Sequence, residues 1–156
     1  MAPASGPEER LADLGLELPE VAAPLAAYLP TARTGNLVFT AGQLPLRVGE
    51  LIATGAVGAA VNVDEAVMCA QQCTLNALAA VKAEVGELSA VRRVVKVVVY
   101  VASTTDFTAQ AQVANGASEL LAEVFGESGR HARSAVGVAV LPLDAPVEVE
   151  LVVEVG

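Results

Sequence analysis

Tryptophan is absent from this chain, histidine occurs once, and the remaining aromatics are two tyrosines and three phenylalanines. With so few rings to fill space, valine, alanine and leucine must build the core. With a single histidine, His131, a Ser-His-Asp triad is hard to assemble. Basic residues are scarce as well: 9 Lys and Arg stand against 18 Asp and Glu, a net charge of −9. Nucleic-acid binding requires a basic footprint that displaces counterions from phosphates. Neither Arg92-Arg93 with Lys96 nor the pair Arg130 and Arg133 makes one, so no nucleic acid is expected as a partner. The same shortage argues against an anionic membrane surface, and no apolar run approaches the roughly 20 residues needed to cross a bilayer. No GxGxxG, Walker-type or HExxH motif occurs, and neither cofactor nor metal is expected. Cys69 and Cys73, four residues apart in a helical stretch, read as small buried apolar side chains rather than metal ligands. Two thiols, and a start from Met1 to Leu11 without an apolar signal core, lead to the expectation of a cytoplasmic protein.

What the chain does have is aliphatic surface. Of its 156 residues 54% are hydrophobic and 17% charged, which suits one domain but exceeds what a monomer needs to bury. A subunit interface is the expected outlet. Residues 1–27 read as an N-terminal extension, with a short helix over Pro7 to Leu14 and a proline-containing tether from Leu16 to Pro30. Residues 28–156 read as one domain. Strands are expected over Asn36 to Thr40 and Leu51 to Ala53. A long helix runs from a capping-box-like Asn62/Glu65 start to Gly86. Its stripe of Ala66, Ala70, Cys73, Ala77 and Ala80 would let it lie close on a sheet. Val94 to Val101 is a central strand, nearly all valine. A second helix is expected from Phe107 to Phe125 with an apolar stripe of Phe107, Ala111, Ala114, Leu121 and Phe125, and Ser118 interrupts that stripe on its inward side. Two further strands lie in His131 to Val140 and Val147 to Val155, the last alternating strictly with Glu148, Glu150 and Glu154 on its polar face. The pattern is α+β with both long helices on one sheet face, leaving the other face to meet partners.

Chemistry concentrates in Arg130-His131-Ala132-Arg133-Ser134. On a strand His131 and Arg133 point to the same side. The planar fork of Arg133 suits a carboxylate; a salt bridge to one of the many glutamates is the plainer reading. Glu148 likewise reads as an exposed carboxylate until something recruits it.

Three ordered motifs resemble the Rid/YjgF family of reactive-intermediate deaminases. Gly35-Asn36-Leu37-Val38-Phe39-Thr40-Ala41-Gly42-Gln43-Leu44-Pro45 resembles its GN-x-apolar-x-TSGQ-x-P stretch. Val94 to Val101 followed by Asp106-Phe107 resembles its valine-rich strand and helix start. Ala132-Arg133-Ser134-Ala135-Val136, Leu141-Pro142 and Val147-Glu148-Val149-Glu150 resemble its PARS-x-V, LP and IEIE elements. The likeness covers residues 28–156. It implies a chorismate-mutase-like fold, a homotrimer around a central barrel of sheets, and pockets between neighbouring subunits. It further implies hydrolysis of 2-imino or enamino acids, of the 2-aminoacrylate type, to 2-keto acids and ammonium. In that reading Arg133 grips the carboxylate and Glu148 assists the attacking water, while Tyr28, Gly42, Ser118 and Ala135 take substrate-binding positions. The chain departs from the pattern at His131 (usually proline), Ala135 (often cysteine) and Ser118 (often asparagine, with Asn115 one turn earlier). Those departures leave open a module that binds a small keto acid without turnover. A ribonuclease or translation inhibitor, a label some relatives carry, fits the charge of −9 poorly.

Overall fold

The computed structural model describes residues 5–21, 23 and 26–156; part of the expected tether therefore lies outside the described residues. A five-stranded sheet carries the domain, in the order β1 (Thr31–Thr34), β2 (Leu37–Thr40), β7 (Val147–Val155), β5 (Val91–Ala102), β6 (Ala132–Val138). The β5–β6 pair is parallel and the others are antiparallel. Helices α2 (Val63–Val85) and α3 (Gln110–Phe125) cover one face. The strict alternation of β7 places Val147, Val149, Leu151, Val153 and Val155 under them, all buried. Its glutamates and Val152 line the other face, which in a single chain leaves Phe39 and Val136 exposed.

The capping box at the start of α2 forms as read: Glu65 N donates to Asn62 Oδ1 at 2.9 Å and Asn62 N donates to Glu65 Oε2 at 3.0 Å. The small-residue stripe of α2, from Ala66 to Ala80, is buried throughout. It lets α3 approach so closely at Gly116 that a Cβ there would overlap the Val67 carbonyl and stand 3.2 Å from the Ala70 methyl. Helix α1 (Pro7–Asp13) buries Leu11 and ties two other ends. Arg10 Nη1 donates to Val124 O near the end of α3 (3.2 Å), and Glu8 Oε1 accepts from Leu88 N (2.7 Å).

Four expectations are corrected. Helix α3 starts at Gln110, because Phe107 N turns back to Thr104 O and the Gln110 side chain closes on Phe107 O. Its buried residues are Val113, Ala114, Gly116, Ala117, Leu120, Leu121, Val124 and Phe125, so Ala114, Leu121 and Phe125 lie inward as read, whereas Ala111 is exposed and Ser118 sits half-buried on the flank rather than in the core. Strand β1, polar and mostly exposed, was not expected. The strand looked for at Leu51 to Ala53 is instead β4 (Glu50–Leu51), paired with β3 (Leu46–Arg47) across a turn in which Val48 (φ 51°) and Gly49 (φ 80°) are both left-handed.

Gly116→Ala should gain about 1 kcal/mol of helix propensity, yet it must push α3 off backbone atoms of α2. Overpacking of that kind costs about 1–3 kcal/mol, so a net loss of stability is expected, read as a lower midpoint in urea denaturation.

Candidate functional site

Arg133 lies opposite Val97 in the parallel β5–β6 register, so it shares the helix-covered side of the sheet. Because β6 is an edge strand, the side chain reaches the flank of α3 rather than the core. There Nη1 donates to Asn115 Oδ1 (2.8 Å) and to Ser118 Oγ (3.1 Å), and Nη2 to the Ala111 carbonyl (3.3 Å). Residues 111, 115 and 118 follow one another at helical spacing and form a stripe of neutral acceptors. Among the described residues the side-chain ion pairs are Lys82–Glu8 and Arg130–Glu127; no carboxylate lies within 4.0 Å of Arg133. Within the chain, the plain salt-bridge reading of this arginine finds no partner among the described residues.

His131, on the same side, meets the same serine. Its Nε2 is 2.8 Å from Ser118 Oγ and its Nδ1 is 2.6 Å from the Gly129 carbonyl. Burial lowers its pKa below the ordinary 6.5; the Gly129 carbonyl partly opposes this, and the charge of Arg133 adds to it. Ser118, Ala122, Gly129, Arg130, His131 and Arg133 line a cavity of about 380 Å³.

A second cavity, about 570 Å³, opens around Glu148. Strand β2 pairs with β7 at Phe39↔Val152 and resumes at Gln43↔Val149, so four steps along one strand oppose three along the other. That is a bulge. Thr40 Oγ1 repairs the ladder by accepting from Leu151 N (3.0 Å). The extra residue lays Ala41-Gly42 over the Glu148 side chain, where a Cβ on Gly42 would overlap the carboxyl group. Tyr28, Leu29, Phe39, Leu44 and Pro142 complete a mainly apolar wall. Burial, and then neighbouring Glu150, raise the Glu148 pKa above the ordinary 4.5. Glu150 itself accepts from Tyr100 Oη (3.1 Å).

The residues singled out from the sequence thus fall into two groups. Tyr28, Gly42 and Glu148 share the larger cavity; Ser118 and Arg133 share the smaller. Within one chain Arg133 and Glu148 do not meet, since Glu148 lies opposite Tyr100 on the open sheet face. Ala135 lines neither cavity; it pairs with Val99 and packs against the core. Asn115 was passed over as a site residue although it makes the shortest contact to Arg133; its spacing of four from Ala111 and three from Ser118 was the available signal. Cys69 and Cys73 are buried and free, with burial and then Glu65 pushing the Cys69 thiol up to about 11. Among the described residues no cluster of three His, Cys, Asp or Glu could hold a metal ion, and no helix is long and apolar enough to cross a membrane.

Residues 8–155 match the model of a family described as YjgF/chorismate mutase-like, whose description also carries an endoribonuclease label. The match begins inside α1, earlier than the motifs alone had indicated. Protein TCP17 of Trypanosoma cruzi is 45% identical over 144 residues, 92% of this chain and 90% of its own length. A 2-iminobutanoate/2-iminopropanoate deaminase of Dermatophagoides farinae is 34% identical over 132 residues, 83% of this chain and 87% of its own. Among solved structures, Atu1372 of Agrobacterium tumefaciens, of unknown function, superimposes with a TM-score of 0.89 at 47% identity, covering 96% of this chain and 91% of that one.

The raised pKa of Glu148 means that the folded chain holds this proton more tightly than the unfolded chain does. Its ionised form therefore costs stability above the folded pKa, and the cost disappears as the group protonates. Glu148→Gln should accordingly raise Tm at pH 7 to 8, with the gain fading as pH falls through the folded pKa and absent below the ordinary 4.5, as followed by thermal denaturation across pH.

Proposed function

The chain belongs to the YjgF/chorismate mutase-like family, and from that premise we propose that it hydrolyses small 2-imino or enamino acids to 2-keto acids and ammonium at a site completed between subunits of a homotrimer. The observation that carries this reading is the unbalanced guanidinium of Arg133. Three neutral oxygens of α3 hold it by Nη1 and Nη2. Of its five N–H donors, Nε–H and one on Nη2 have no partner among the described residues. A small carboxylate would satisfy both the free donors and the charge. The deaminase name carried by a 34% identical relative supports the same substrate class.

The chemistry needs orientation and a proton carrier, not a strong nucleophile. With the carboxylate held, the electrophilic carbon of the protonated imine faces water positioned at Glu148 of an adjoining subunit. The Glu148 carboxylate takes a proton as the water oxygen bonds to carbon. It returns that proton to nitrogen, the C–N bond breaks, and the remaining hydroxyl proton leaves with ammonia as ammonium. One water is consumed and one keto acid is formed. An enamine enters after protonation at its terminal carbon. The raised pKa of Glu148 suits a group that must both accept and donate.

Purified protein should accelerate keto-acid release from freshly generated 2-aminoacrylate. Arg133→Ala should lower kcat/KM by at least about 100-fold, from loss of a bidentate charged contact, and Glu148→Gln should act mainly on kcat. Absence of acceleration with any small imino acid would remove the enzymatic reading. Arg133-dependent calorimetric binding of 2-ketobutyrate without turnover would identify a binding module instead.

A further inference from the structure

Arg133 contacts Ser118, and Ser118 in turn contacts His131; both stand at positions where the family pattern most often has other residues, and their hydrogen bonds have a definite direction. The Gly129 carbonyl can only accept, so at 2.6 Å the Nδ1 of His131 must carry hydrogen. Gly129 is buried, and a Cβ there would overlap the Leu121 carbonyl, so the turn is pressed directly onto α3. In the neutral ring Nε2 is then an acceptor, and the Ser118 hydroxyl donates to it across 2.8 Å. With its only proton committed, Ser118 Oγ turns a lone pair to Arg133 Nη1 at 3.1 Å. A one-way chain runs from the guanidinium through serine and imidazole to a backbone carbonyl.

We propose that Ser118 and His131 are a positioning pair for Arg133, acting with the imidazole in its neutral Nδ1–H form, and that they set the direction in which the guanidinium meets an incoming carboxylate. The proposal rests on Arg133 being the carboxylate grip, but the pair itself can be tested without turnover. Protonating His131 would turn Nε2 into a donor and force the serine proton elsewhere, breaking the chain's direction. The surroundings oppose that change. The α3 residues that share the cavity with the ring, Ser118 and Ala122, are uncharged. Arg133 repels a second positive charge, and Arg130 is tied to Glu127 at 3.3 Å. Lys96 of neighbouring β5 spends its ammonium on Ser134, on the opposite face.

Because the chain has one histidine, its ring nitrogens give the only imidazole signals in a ¹⁵N spectrum. At neutral pH they should report the Nδ1–H tautomer, and Ser118→Ala should move the Nε2 resonance while leaving Nδ1 nearly unchanged. An Nε2–H tautomer in the wild type, or an Nε2 signal indifferent to Ser118→Ala, overturns the proposal whether or not the protein is a deaminase. In kinetics, or in 2-ketobutyrate binding if there is no turnover, Ser118→Ala and His131→Ala should each weaken KM or Kd about five- to tenfold. The double variant should be no worse than either single one. His131→Gln, whose amide oxygen can still accept from Ser118, should restore most of the affinity and lose the weakening that wild type shows on acidification. Additive losses, or no recovery with glutamine, overturn it too. Loss of the Arg133 requirement alone would instead defeat the substrate reading.

Discussion

A guanidinium that meets only neutral oxygens retains its whole charge, and the arrangement around Arg133 follows from that constraint. Water could solvate such a group completely at an open surface. Here it is half-buried against α3, with its Nη1 donors spent on Asn115 and Ser118 and Nη2 turned toward the Ala111 carbonyl. Neutral acceptors fix its position without cancelling its field. A neighbouring glutamate would have done both, and would have competed with any anionic ligand. The supporting helix therefore keeps acids off the stripe that faces β6, in a chain that otherwise carries twice as many acids as bases.

The acidic half is organised by a different device. Glu148 belongs to a regularly alternating strand, so its direction is set by the pleat alone. What distinguishes it from Glu150 and Glu154 is the bulge that brings Gly42 across its carboxyl group and the apolar wall of Phe39, Leu44 and Pro142 beside it. Removal from water, more than any single charge, raises its pKa. One half of the constellation thus depends on hydrogen-bond direction and the other on desolvation. The sheet holds them on opposite faces of a single chain, an arrangement that gives the proposed assembly its chemical purpose.

Much of this was legible in the sequence wherever a periodic signal was strong. The alternation of Val147 to Val155, the valine run of β5 and the Asn62/Glu65 cap all read correctly, because burial and capping act locally and repeatedly. Strand β1 was illegible: Thr31-Ala32-Arg33-Thr34 has no apolar face, and it pairs only because β2 offers an edge. The inward face of α3 was legible at Ala114, Leu121 and Phe125 but not at Ala111 and Ser118, for a subtler reason. Alanine and glycine suit either a core or a flank, so Ala111 could be taken as inward when Val113, Gly116 and Leu120 set the true face. That error assigned Ser118 to the interior and left Asn115 aside. The strand position of Arg133 was read correctly, but its partners depend on the phase of a separate helix, which no local pattern around residue 133 encodes.

The turn from Gly126 to Gly129 has a further consequence. Side chains alternate along β6, and Gly129 is already seated against the Leu121 backbone, so there is no slack to absorb a change in length. Deleting or inserting one residue before Ala132 would shift the strand by half its repeat and deliver the cation to the open face of the sheet, while a serine or alanine took its place beside α3. The length of this connection therefore governs which face of the sheet carries the charge as firmly as the identity of residue 133 does.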